Sequence, residues 1–143
     1  NFVVIYPNND LGSAAILKAY KQLEGNPRFR VFPSLRFEYF LTLLKNARFI
    51  IGNSSAGIRE APYYGLPIIN IGSRQKNRSV NTDIINVDYT KEAILNALQE
   101  IEKHEVKNSY TDFGTGNSAT LFLESLENSD IWELNHQKQF RDI

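Results

Sequence analysis

The apolar positions of this chain fall into short runs separated by longer stretches in which they recur every third or fourth residue. Phe2–Tyr6, Arg28–Phe32, Phe49–Ile51, Ile68–Ile71 and Asp83–Val87 read as strands, being short and rich in Val, Ile and Phe. Between them the helical period predicts a helix from Ala14 to about Glu24, capped by Ser13, with Ile16, Leu17, Tyr20 and Leu23 facing the sheet. A second helix is expected from Phe37 to about Lys45, with Phe37, Phe40, Leu41 and Leu44 as a core stripe. A third follows Thr90 as its cap and runs to about Glu102, with Ile94, Leu95, Leu98 and Ile101 turned inward. Leu121, Phe122, Leu126, Ile131, Trp132 and Leu134 continue helical segments over 118–143, beyond a long loop from Lys103 to Gly116. Strands alternating with helices predict a three-layer α/β domain with a mainly parallel sheet, spanning the whole chain as one unit.

One stretch, Phe49 to Gln75, concentrates the candidate chemistry. The wholly apolar run Phe49-Ile50-Ile51 suits a parallel strand buried on both faces, and Gly52-Asn53-Ser54-Ser55 breaks it before helical character resumes at Ala56. Two readings fit the serines. They cap a helix, as Ser does in many proteins, or their hydroxyls and backbone N–H groups hold an anion that gains about 0.3–1 kcal/mol from the helix dipole. Gly57 costs helix propensity, and close approach of a ligand is one reason to accept that cost. Glu60 falls near the same helix mouth, where its carboxylate could accept both hydroxyls of a ribose. Gly65-Leu66-Pro67 stops the helix, and the strand Ile68–Ile71 delivers Gly72-Ser73-Arg74-Gln75 to the carboxyl edge, where open α/β sheets bind ligands.

The block GNSSAGIREAPYYGLPIINIGSRQ resembles the signature of the hydrolysing UDP-N-acetylglucosamine 2-epimerases, enzymes that open sialic-acid-type sugar pathways. That resemblance implies a diphosphate at Ser54 and Ser55, a ribose at Glu60 and a nucleotide sugar beside Arg74, with Gly57, Asn53 and Gln75 nearby. Leu35-Arg36-Phe37 matches the family's segment against the uracil, although Arg36 stands where the family commonly has Pro. Pro7, Asn8, Asp10, Gly12 and Ser13 match a family loop, which makes Asp10 and Ser13 a second candidate site; a simple turn before a helix fits the same residues. Lys18 and Lys21 stand where animal relatives carry basic residues of a feedback-inhibition helix, and solvated surface lysines are the ordinary alternative. Tyr110, Gly116 and Asn117 match a further family loop, from which Phe113-Gly114 departs.

The resemblance implies the UDP-binding second half of a two-domain, glycosyltransferase-B-like enzyme, with no cofactor and no metal. The family's acids and bases lie upstream in sequence, so no catalytic residue is expected in this chain, and the chain alone is expected to be inactive. Its abrupt start on a strand suggests a fragment that lacks the N-terminal domain and an inner strand of its sheet. The partners implied are UDP or a UDP-sugar, the N-terminal domain and, as in most of the family, further copies of the chain. Two other classes fit less of the motif: a free-standing nucleotide-sugar binding or regulatory module, and the donor domain of a related glycosyltransferase.

Composition narrows the classes further. The 143 residues carry 16 basic and 16 acidic side chains, so no global field would draw nucleic acid or an anionic membrane. The chain has no Cys, which excludes disulfides, thiolate metal sites and a Cys nucleophile. No apolar run approaches the roughly 20 residues of a membrane span, and the expected location is the cytoplasm. His104 and His136 lack the spacing of metal ligands.

Overall fold

A computed structural model describes residues 1–103 and 110–133. His104, Leu134 and His136 lie outside the described residues, as do the middle of the expected 103–116 loop and the end of the C-terminal segment. The strands are β1 (Phe2–Ile5), β2 (Phe29–Phe32), β3 (Ile50–Gly52), β4 (Ile68–Ile71) and β5 (Ile84–Val87). The helices are α1 (Ser13–Tyr20), α2 (Phe37–Asn46), α3 (Ala56–Arg59), α4 (Lys91–Ile101) and α5 (Ser118–Glu127).

All strand pairs are parallel, as the alternation of strand and helix predicts. They form two sheets, however: β1 with β2, and β3-β4-β5 in that order. Among the described residues β1 and β3 each pair along one edge only.

The three-stranded sheet is the middle layer of the core. Successive side chains of a strand point to opposite faces. Ile68 and Ile84 therefore join Leu44 of α2, Ile58 of α3, Ala61 and Leu66 on one face. Ile69, with Ile51, Ile71, Ile85 and Val87, meets Ala97 and Ile101 of α4 on the other. Thr90 caps α4 as expected, its Oγ1 accepting from Ala93 N at 3.3 Å. The inward stripe of α4 differs from expectation by one position: Ala97 is buried and Leu95 is 48% exposed. A small residue lets the helix approach β4 closely, so Leu95 is turned out.

Helix α1 departs from expectation in three respects. Gly12, at φ 92°, occupies the N-cap, and Ser13 is the first helical residue with no side-chain cap. Backbone bonds Ser13 N to Asp10 O and Ala15 N to Gly12 O already satisfy the first donors, which leaves the Ser13 hydroxyl no capping task. The α-helix ends at Tyr20 and tightens into a 3₁₀ turn, Lys21–Leu23. Ile16 is 40% exposed, because β1 and β2 form too small a sheet to cover the whole stripe. In α2 likewise Leu44 is buried while Phe37, at the first turn, is 58% exposed.

Candidate nucleotide site

The strand-to-helix junction after β3 is tighter than the sequence predicts. Helix α3 is a single turn, and a 3₁₀ turn, Ala61–Tyr64, follows it because Pro62 lacks the N–H that would continue the α-helix. Gly65, at φ 62°, closes this unit by donating back to it. A one-turn helix has little macrodipole, so anion affinity at this junction rests on local donors. Ser54 Oγ accepts from Ala56 N at 3.3 Å, and Ser54 O and Ser55 O accept from Gly57 N and Ile58 N. Ser54 thus performs the local capping role while both serines remain exposed. Among the described residues, the N–H groups of Ser54 and Ser55 donate to no protein acceptor.

Gly57 is buried. A Cβ there would lie 3.4 Å from Ile68 Cγ2, an ordinary van der Waals contact, so packing on β4 does not by itself demand glycine. Glu60 is half-buried at the end of α3, and its Oε2 is fully buried without a partner among the described residues. A buried acceptor costs free energy until a donor reaches it, and ligand hydroxyls are suitable donors.

The loop after β4 comes to the same edge. Gly72 N donates to Val87 O at 2.7 Å, and Gly72 has φ +78° with a Tyr89 ring where a Cβ would stand. Arg74 reaches Asp10 in the loop after β1, with 3.1 Å between Nη2 and Oδ2. The two side chains assigned to separate candidate sites therefore meet. Gln75 is buried, with Nε2 donating to Asn53 O at 3.0 Å and Oε1 accepting from Arg78 Nη1 at 3.2 Å. Leu35, Arg36 and Phe37 precede or open α2; Arg36 lies 3.4 Å from Glu38 and over the Tyr39 ring. Among the described residues no hydrogen bond or ion pair ties that segment to the Ser54 loop. Ser13 sits beside Asp10 in chain and bonds its backbone carbonyl.

Sequence reasoning missed Asn70. It is 2% exposed, and its Nδ2 donates to Asn86 Oδ1 at 2.8 Å, joining β4 to β5 directly under the junction. With Gly52, Ser54 and Gly57 it borders a cavity of about 20 Å³, room for a single water. The signal was present: Ile-Ile-Asn-Ile and Ile-Ile-Asn-Val put Asn at the same place in two apolar strands.

Tyr110 lies in a loop, as the sequence predicts, and straps that loop to the rest of the domain. Its N–H donates to Pro62 O and its hydroxyl to Asp83 Oδ2, both at 3.0 Å. The Arg59 guanidinium lies 5.3 Å from the Phe113 ring centre, which holds the same loop against α3. Among the described residues no group of three metal-ligating side chains occurs, and no helix is long and apolar enough to cross a membrane.

Comparison with known proteins decides the family. Residues 1–127 match the family model described as UDP-N-acetylglucosamine 2-epimerase. This chain belongs to the UDP-N-acetylglucosamine 2-epimerase family. A UDP-N-acetylglucosamine 2-epimerase of Neisseria meningitidis serogroup B is 44% identical over 146 aligned positions, covering all of this chain and 38% of that protein. A UDP-N,N'-diacetylbacillosamine 2-epimerase (hydrolyzing) of Legionella pneumophila is 33% identical over 87% of the chain and 34% of its own length. The polysialic acid biosynthesis protein P7 of Escherichia coli is 37% identical over 68% of the chain. The family member described here thus spans well under half the length of these relatives, and its α/β architecture with parallel sheets agrees with a Rossmann-like epimerase domain.

Proposed function

We propose that this chain is the UDP-binding half of a hydrolysing UDP-N-acetylglucosamine 2-epimerase. The observation that carries the reading is the donor and acceptor set on the segments after β3 and β4: Ser54 and Ser55 N–H groups and a Glu60 oxygen that have no partner among the described residues, and the half-exposed Arg74 guanidinium. The serines would take the diphosphate, Glu60 the ribose hydroxyls, and Arg74 the charge beside them, exchanging part of its contact with Asp10 for phosphate oxygens. Leu35, Arg36 and Phe37 would approach the uracil; Asn53, Gln75 and Ser13 shape the surrounding loops.

The reaction is elimination of UDP to a 2-acetamidoglucal followed by addition of water, so that UDP-N-acetylglucosamine and water give N-acetylmannosamine and UDP. This chain's part is to hold the leaving UDP, with its developing negative charge met by Arg74 and backbone N–H groups. The acids and bases belong to an N-terminal domain, so the chain alone binds without turning over. That domain and other copies of the chain are its partners. The whole enzyme works in the cytoplasm, in sialic-acid-type biosynthesis.

Calorimetric titration of UDP into the chain and into a Ser54→Ala, Ser55→Ala variant tests the site. Binding by the parent, weakened at least about tenfold in the variant, is expected from the loss of charge-assisted bonds. Equal binding by both proteins would remove the serine hydroxyls from the site and leave only their backbone N–H groups. Release of UDP from UDP-N-acetylglucosamine by the chain alone would overturn the division of labour between domains.

A further inference from the structure

Gln75 is an unusual side chain to bury at the tip of a polar loop. It is 3% exposed, while its neighbours Arg74 and Lys76 are exposed. Burial of a primary amide is costly unless both ends are bonded, and here both are. The donor end is spent on Asn53 O, the carbonyl that immediately precedes Ser54. The acceptor end is spent on Arg78. Backbone bonds from Lys76 N to Ser73 O and from Arg78 N to Gln75 O wind the loop into consecutive turns around this side chain. Asn77 takes φ 62° between them, a conformation that Asn tolerates better than most residues.

We propose that Gln75 is a positioning residue that locks the Ser54–Ser55 junction and the cationic 74–78 loop into one rigid unit, touching neither phosphate nor sugar itself. This rests on the UDP reading above for its ligand, but the lock is a property of the free protein. The amide bond to Asn53 O fixes the peptide that enters the serine turn, so it sets where the Ser54 and Ser55 N–H groups point. The bond to Arg78 ties that guanidinium to the same buried side chain. A preorganised donor set loses less freedom on binding than a mobile one, so the lock appears in affinity.

The test reads the lock and the ligand separately. In the parent, NMR is expected to show slow solvent exchange of the Gln75 side-chain amide and its proximity to the Ser54 amide proton; rapid exchange would overturn the lock without any variant. Gln75→Met keeps volume and removes both bonds. Gln75→Glu keeps the acceptor for Arg78 and sets an oxygen against Asn53 O. Both are expected to speed hydrogen exchange at the Ala56, Gly57 and Ile58 amides about tenfold, while the β4 amides stay protected. Arg78→Ala should leave those three amides as in the parent. UDP affinity should fall about tenfold in Gln75→Met, with a near-parent melting temperature. Folded Met and Glu variants with parent-like exchange at 56–58 would overturn the proposal. So would a loosened junction with unchanged UDP affinity. A parent that binds no UDP would refute the ligand half together with the proposed function, while the exchange arms would still decide the lock.

Discussion

The two sheets of this domain share strand length, parallel pairing and β-rich composition, yet they differ in what covers them. In β3-β4-β5 the central strand has a neighbour on each edge and a helix layer on each face, and Ile68 and Ile69 are 2% and 0% exposed. In β1-β2 each strand has one neighbour among the described residues, α1 contains no buried residue, and Phe2 and Val3 are 45% and 46% exposed. Apolar sequence therefore forms a strand in both places, but only the second enclosure converts it into a core. The stacked rings of Phe2 and Phe29, 5.1 Å apart, tie the two strands of the smaller sheet together.

The contrast is sharpest in large-to-small substitutions. Ile69→Ala should cost about 2–5 kcal/mol, because its cavity would open between two packed layers, whereas Ile16→Ala should stay within about 0.5 kcal/mol. Urea unfolding of both variants checks this; similar losses would mean that the smaller sheet is buried as deeply as the larger. Native-state hydrogen exchange should likewise protect β4 amides well above those of β1.

Gly72 joins the larger sheet to the site and should rank next. Gly72→Ala meets both a left-handed φ and the Tyr89 ring, at an expected cost of about 1–3 kcal/mol. Adding Tyr89→Ser should restore part of that loss, since it removes the overlap and leaves the backbone strain. Removing the cap of α4 with Thr90→Ala should cost about 1 kcal/mol by thermal melting.

Two tyrosines, one in each region, compare the regions by pH. The bond to Asp83, then burial and the charge of Asp83, raises the Tyr110 pKa above 10.0; burial alone raises that of Tyr20, whose ring lies 6.3 Å from that of Tyr6. A pKa raised on folding stabilises below the unfolded value and is lost as pH climbs through the folded one. Tyr110→Phe should therefore flatten the fall in stability above about pH 10. Urea midpoints across that range measure it, and an unchanged slope would dismiss the Asp83 bond. Smallest of all, Asp10→Asn should change stability by no more than about 1 kcal/mol, because the pair with Arg74 is half-exposed, and the effect should fade with salt.

Much of the larger sheet was legible in the chain. Ile68–Ile71 alternates between two packed faces, and Gly65 and Pro67 mark a stop that needs no distant partner. The failures have local physical causes. Ser13 yields the cap to Gly12 because the preceding turn already supplies acceptors, and α3 is cut to one turn by Pro62. Leu95 and Phe37 obey helical periodicity but point where no layer covers them.

By itself the sequence determined the order of parallel strands and helices, the Ser-Ser junction and the family, since period and motif are written in neighbouring residues. Tertiary structure alone decided which loops meet. Gln75 crosses 22 residues to Asn53, and Tyr110 crosses 27 to Asp83. Arg74 finds Asp10 across the two sheets. Polar side chains can serve many partners, and only the packed strands determine which acceptor lies within reach when water is excluded.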